Sequence, residues 1–171
     1  IVLIDCGAKE NIVRYLIKRG MRITRVPWDF NPLDNPSAGG FDGVLISNGP
    51  GDPKQAKQTI KTVKKLLEKG VPTFGICLGS QILALAAGGN TYKLKFGHRG
   101  QNQPVQDVVS RKALITSQNH GFAVDMKSMG KDWQEWYVNL NDGTNEGIRH
   151  KKNPFMAVQF HPEANPGPTE G

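Results

Sequence analysis

The sequence predicts an α/β fold, a three-layer arrangement in which a mostly parallel sheet is flanked by helices, with an antiparallel or mixed edge in the C-terminal half. Two observations carry this. Residues 1–89 alternate short, unbroken apolar runs with stretches whose apolar residues recur at helical spacing, the rhythm of a parallel sheet covered on both faces. Beyond Gly89 the apolar runs continue, but turn signals rather than helical stretches separate them.

The first strand is Ile1-Val-Leu-Ile-Asp5, a continuous apolar run that Gly7 breaks. Residues 11–19 form a helix with Ile12, Tyr15 and Leu16 on one face, closed by Gly20. Residues 22–26 alternate as a second strand, and 27–41, rich in Asn, Pro, Asp and Gly, read as a loop. Gly43-Val-Leu-Ile-Ser47 is a third buried strand. The next helix, 55–69, has Ile60, Val63, Leu66 and Leu67 inward and its lysines outward. Gly70 ends it, residues 71–76 are the fourth strand, and a helix departs from Gln81. In the second half, residues 91–96, 104–108, 113–116, 134–140, 146–149 and 155–160 read as shorter strands. Asn141-Asp-Gly143 and Lys152-Asn-Pro154 supply turns between them, and residues 165–171 read as loop.

A chain of 171 residues suits one domain with a substantial core. It lacks an initiator methionine and starts directly in a strand-like run, so we expect a single domain over 1–171 that is a piece of a longer chain. No apolar run approaches the roughly 20 residues a membrane helix needs, and no basic leader precedes the first strand. Two cysteines, Cys6 and Cys77, make no disulfide framework, which points to a reducing, cytoplasmic compartment. The four histidines are dispersed, without zinc-ligand spacing, so no metal site is expected. The net charge of +7 concentrates only at 54–69 and 150–152. That pattern reads as a solvated helix face plus a turn rather than a nucleic-acid surface, and it leaves room for an acidic partner protein.

Chemistry concentrates in Phe74-Gly-Ile-Cys-Leu-Gly-Ser-Gln81. A strand arrives, a cysteine sits between Gly75 and Gly79, and a helix leaves: the cysteine form of a nucleophile elbow. Such a turn presents an exposed sulfur at a helix N-terminus, where free N–H groups favour a thiolate. The competing reading makes Cys77 a small buried apolar residue. A nucleophilic cysteine needs a base and an orienting group. His161-Pro-Glu163 offers both at a strand end, because residues two apart in extended chain project to one side. His120 is the rival base, whereas His98 and His150 lack neighbouring carboxylates and read as exposed. Oxyanion donors are available from the N–H of Leu78, directly after the nucleophile, and from the Gly49-Pro50-Gly51 turn. That turn lacks P-loop and dinucleotide spacing, so a nucleotide site is not expected.

Together, Ser47-Asn-Gly-Pro-Gly-Asp-Pro53, Gly75-Ile-Cys-Leu-Gly-Ser-Gln81, Gln118-Asn-His-Gly-Phe-Ala-Val-Asp125 and His161-Pro-Glu163 resemble the class I (triad) glutamine amidotransferases over essentially the whole chain. Residues 96–105 and 118–125 make the resemblance closest to the glutaminase domain, or small subunit, of carbamoyl phosphate synthetase. The resemblance implies a flavodoxin-like sheet and hydrolysis of L-glutamine to glutamate and ammonia through a thioester on Cys77. It makes His161 the base, Glu163 its orienting partner, and Gly49 and Leu78 the oxyanion hole. It gives Gly49, Gly51, Leu78, Gln81, Asn119, Gly121 and Phe122 to substrate binding. No cofactor is implied in this domain; ATP and Mg²⁺ serve the synthetase partner, a large subunit or fused domain, with carbamoyl phosphate bound for pyrimidines or arginine. Neither nucleic acid nor membrane is implied as a partner. An amidotransferase of another biosynthetic branch, or a stand-alone cysteine hydrolase of the same fold, is the alternative. The chain departs from the family at Ser80, where relatives usually carry histidine. The resemblance also leads us to expect that the family's N-terminal domain and C-terminal helix lie outside residues 1–171.

Overall fold

In the computed structural model, which describes residues 1–35 and 40–168, nine strands form one sheet in the order β2-β1-β3-β4-β9-β8-β7-β5-β6. The first five of that order, β2 (Thr24–Pro27), β1 (Val2–Asp5), β3 (Val44–Ile46), β4 (Thr73–Ile76) and β9 (Phe155–Val158), run parallel. The rest, β8 (Asn145–His150), β7 (Trp133–Asn139), β5 (Asn90–Asp107) and β6 (Ala113–Asp125), pair antiparallel. The expected parallel sheet with an antiparallel edge is what forms. Part of the loop expected over 27–41 and the last residues of the expected terminal loop lie outside the described residues.

Alternation along the central strands sorts their side chains to two faces. On one face, Leu3 and Leu45 meet Ile12 of α1 (Glu10–Lys18), with Ile76 and Cys77. On the other, Val2, Ile4 and Val44 pack with Leu66 of α2 (Lys57–Glu68), and Ile46 packs with Ile82 and Leu83 of α3 (Leu78–Ala86). The α1 and α2 helices are amphipathic, and the lysines of α2 face solvent as expected. By contrast α3 is buried nearly all round, which suits its apolar sequence and its place against α2 and the sheet.

The second half differs from expectation in length rather than kind. The separate runs at 91–96 and 104–108 are parts of one strand, β5, and 113–116 opens a long β6 that contains residues 118–125. Glycine and amide residues that signal turns are absorbed here as register shifts, between Lys93 and His98 and between Gly100 and Gln103. At Gly97 (φ +68°) a Cβ would lie 2.7 Å from the His120 carbonyl oxygen, so only glycine permits the bulge's close cross-strand approach. The bulge brings His98 opposite His120, and the His120 region borders the C-terminal ends of the parallel strands.

Candidate active site

The elbow forms where the sequence places it. Residue Cys77 joins β4 to α3 with φ +53° and ψ −103°, a backbone conformation that non-glycine residues rarely adopt and that surrounding structure must enforce. Its N–H donates to the Val158 carbonyl (2.9 Å), and its own carbonyl accepts from Ser80 N (3.1 Å). The two flanking glycines are steric requirements. A Cβ on Gly75 would stand 2.4 Å from Gly79 O, and one on Gly79 would stand 2.2 Å from Ile46 O. Both obstacles are backbone and cannot swing aside. Exchange of Gly79 for alanine is therefore expected to destabilise the fold by about 3 kcal/mol or more, read as a lowered midpoint in chemical denaturation. A midpoint unchanged from wild type would show that α3 can shift away from β3 at no cost.

The cysteine is not exposed at the tip, as the motif suggests; it is 4% exposed and forms part of a pocket wall. Burial, reinforced by the charges of Glu163 and Glu146, pushes its thiol up to about 12, although the Leu78 N–H and Gln159 act in the other direction. The helix N-terminus alone does not make a resting thiolate here. A proton must be taken from sulfur as it reacts.

On the third-strand side, the Gly49 turn abuts the elbow: a Cβ there would lie 2.1 Å from Cys6 O and 2.8 Å from Leu78 Cδ2. Ser47 Oγ accepts from Cys6 N (2.9 Å) and donates to Asn48 O (2.7 Å), and Asn48 Oδ1 accepts from Lys9 N (3.0 Å), tying turn to β1. Between turn and elbow lies a cavity of ≈ 350 Å³. Gly49, Gly51, Cys77, Leu78, Gln81 and Asn119 all line it, with His120 beside them. Gly121, Phe122, His161 and Glu163 do not. Gln81 commits its Nε2 to Phe122 O (3.0 Å) and Gln159 Oε1 (2.9 Å), so it braces the strand that carries Phe122. A larger, apolar groove of ≈ 560 Å³ runs under α1 with Phe74 and Met156 in its walls, away from the polar turn.

Adjacent parallel strands β4 and β9 deliver Cys77 and His161 to the same end of the sheet. His161 is 6% exposed, its N–H donating to Ser117 O (2.9 Å), and its Nδ1 lies 2.7 Å from Glu163 Oε1. That carboxylate, 3% exposed, also meets Lys9 Nζ at 3.0 Å, while the Glu163 carbonyl accepts from Asn11 Nδ2. Burial opposes ionisation of Glu163, but His161 and Lys9 outweigh it and hold the carboxyl below its ordinary range. An ionised acceptor on Nδ1 fixes the proton there and leaves Nε2 as the basic nitrogen. Lys9, 154 residues away in sequence from Glu163, carries no signal in the motifs, and sequence reasoning missed it.

The rival base does not stand free. His120 Nδ1 donates to Phe122 O (2.9 Å), and Nε2 faces Gln118 Oε1 (3.2 Å) and Glu146 Oε1 (3.6 Å). The readings of His98 and His150 as exposed, and of the histidines as dispersed, are corrected. His98 bonds Glu146 Oε1 through Nδ1 (3.0 Å) and Asp142 Oδ2 through Nε2 (2.8 Å), with its ring edge-on to His120 at 4.9 Å. His150 is half-buried against Trp133 and Phe155, and its Nδ1 accepts from Lys152 N and Asn153 N. The carboxylates of His98 sit in the turn and strand after β7, more than 40 residues along, beyond any local pattern. Ser80 is fully buried with no partner for its Oγ among the described residues, so it makes no surface contact.

Hydrogen bonding to Glu146, with Asp142 adding to it against the opposing effect of burial, raises His98 to about 9. Its protonated form is favoured by folding, so the stability it contributes is complete below about pH 6.5 and is lost as pH rises from there to about 9. Denaturant midpoints are expected to fall across that interval in the wild type and to fall less in His98→Asn. Parallel slopes in the two proteins would remove His98 from the account.

A sheet of this order with a cysteine elbow, a strand-end His–Glu pair and a glycine turn across a small cavity defines a glutamine amidotransferase of the class-I kind. The family model described as glutamine amidotransferase class-I matches residues 2–171, and the chain belongs to that family. Among its relatives, the carbamoyl phosphate synthase small chain of Archaeoglobus fulgidus is 54% identical over 98% of this chain and 46% of its own length. That of Methanocaldococcus jannaschii is 56% identical over 98% of this chain and 47% of its own. The chain thus spans about half the length of the curated relatives it matches. A glutamine amidotransferase structure from Thermotoga maritima superposes with a TM-score of 0.74 at 20% identity, covering 95% of this chain and 75% of that one, a likeness of fold.

Proposed function

We propose that this domain hydrolyses L-glutamine to glutamate and ammonia, and that the ammonia passes to a carbamoyl phosphate synthetase, as a separate large subunit or a fused synthetase domain. The single observation that carries the chemistry is the pairing of a strained, pocket-lining Cys77 with His161–Glu163 at the same sheet end. The synthetase connection rests on the small-chain relatives. The domain is read as the amidotransferase portion, residues 1–171, of a longer protein working in the cytoplasm; both cysteines are free, and no helix among the described residues is long and apolar enough to cross a membrane.

In this reading His161 Nε2 takes the Cys77 proton as sulfur attacks the side-chain carbonyl carbon of glutamine. The N–H groups of Leu78 and Gly49 stabilise the oxyanion. The C–N bond breaks with the proton delivered from His161 to the leaving nitrogen, and ammonia departs. Water, deprotonated by His161, then opens the thioester to give glutamate and the free thiol. Gly51, Gln81 and Asn119 line the cavity that holds the amino-acid end, and Gly121 and Phe122, outside its lining, join them through the family resemblance and the Gln81 Nε2–Phe122 O bond. A thiol pushed up by burial suits this sequence, because the proton leaves only when substrate and base are both in place. No cofactor takes part in this domain's chemistry; ATP and Mg²⁺ belong to the synthetase.

Ammonia release from glutamine, measured on the full-length protein with and without synthetase, tests the reading. Glutamine turnover that rises with the partner supports it. Turnover indifferent to any synthetase favours a stand-alone hydrolase, and no turnover in either case overturns the reading.

A further inference from the structure

Behind the pocket wall lies a buried polar cluster that the proposed chemistry does not use. Its centre is Glu146, fully buried on β8. Thr116 Oγ1 donates to Gln103 O (2.8 Å), so it accepts from Gln118 Nε2 (3.1 Å), which turns Gln118 Oε1 toward His120 Nε2. His120 Nδ1 donates to the Phe122 carbonyl, and its Nε2 lies 3.2 Å from Gln118 Oε1 and 3.6 Å from Glu146 Oε1. Both nitrogens of His98 face carboxylate oxygens and carry hydrogen. The ligand atoms of His98, His120 and Glu146 lie within 4.8 Å of one another, a spacing that a metal ion also uses. Here the arrangement is a hydrogen-bonded polar cluster in which Glu146 Oε1 meets His98 Nδ1 and Asn139 Nδ2, while Oε2 has no partner among the described residues. A buried carboxylate requires such partners.

What the cluster supports is the pocket. Residue His120 lines the cavity and, through Nδ1, holds Phe122 O, the same carbonyl that Gln81 Nε2 holds from the elbow side. On either side of His120 stand Asn119, whose carbonyl is 4.0 Å from Cys77 Sγ, and Gly121. We propose that Glu146 is a positioning residue for substrate binding: paired with His98 and 3.6 Å from His120 Nε2, it holds that ring in place, and the ring, through Phe122 O, holds the segment whose Asn119 and His120 line the cavity. The inference rests on the glutamine reading above.

Leucine at 146 fills the space but accepts no hydrogen bond, whereas glutamine retains an acceptor oxygen. In the full-length protein with its synthetase, Glu146→Leu is expected to raise the glutamine KM about tenfold or more with kcat within about threefold, since a displaced wall weakens binding more than chemistry. Glu146→Gln is expected to hold KM within about threefold of wild type. A purely structural role would lower the yield of folded protein without moving the KM of what folds. If Glu146→Leu does not fold, His98→Gln takes its place, with a KM rise of about threefold or more expected. A wild-type KM in folded Glu146→Leu, or in His98→Gln where that variant stands in, overturns the inference alone. A wild-type protein that releases no ammonia from glutamine overturns the functional reading and the inference with it.

Discussion

Exchanging Cys77 for alanine is expected to reduce glutamine-dependent ammonia release by about 10⁴-fold or more, because removal of the proposed covalent nucleophile would leave only binding and the proposed oxyanion donors. The fold should tolerate the change. Alanine keeps the Cβ that already fits at φ +53°, and it leaves untouched the main-chain bonds from Cys77 N to Val158 O and from Ser80 N to Cys77 O. The loss of one buried sulfur contributes about 1 kcal/mol. Activity and stability should therefore part company in this variant: a near-wild-type denaturation midpoint with no measurable turnover. Ammonia release that persists in Cys77→Ala would remove the sulfur from the chemistry.

The second large effect belongs to the His161–Glu163 pair. His161→Asn removes the proposed proton acceptor and is expected to lower kcat by about 10³-fold. Glu163→Gln is expected to cost about 10²- to 10⁴-fold, because the neutral amide no longer fixes the proton on Nδ1. It also leaves Lys9 Nζ, 3.0 Å away, without its counter-ion, so this variant should lose stability as well as rate. The two differ at low pH. The carboxyl of Glu163 lies below its ordinary range in the fold, so the stability it contributes is present above about pH 4.5 and disappears as pH falls through its lowered folded value. That acid-side loss should be missing from Glu163→Gln. Normal rates in His161→Asn would return the base to His120, against the geometry in which both of that ring's nitrogens are engaged.

Local pattern made the parallel half legible. The apolar runs of β1, β3 and β4 and the two-sided helices α1 and α2 fall within a few residues of their expected spans. The elbow was legible because its chemistry is local: glycine, cysteine and glycine must stand at fixed spacing for β4 to turn into α3. The antiparallel half was legible only in pieces. A bulge at Gly97 looks like a turn in sequence, since glycine serves both, and only the partner strand decides between them. The same limit explains the misread histidines. His98 lies beside Glu146 because β5 and β8 flank β7, which no local composition encodes. The expectation of an exposed sulfur failed for a physical reason: Cys77 is 4% exposed in the cavity wall, and that burial works against the free N–H groups of the helix end.

The most direct test of the central claim is covalent. The full-length protein, mixed with glutamine and quenched in acid during turnover, should yield a peptide containing Cys77 that carries a glutamyl group, identified by mass spectrometry and absent from Cys77→Ala. The adduct should be released by neutral hydroxylamine, as a thioester is. Sustained ammonia release with no glutamyl adduct on Cys77, and with the same rate in Cys77→Ala, would contradict it.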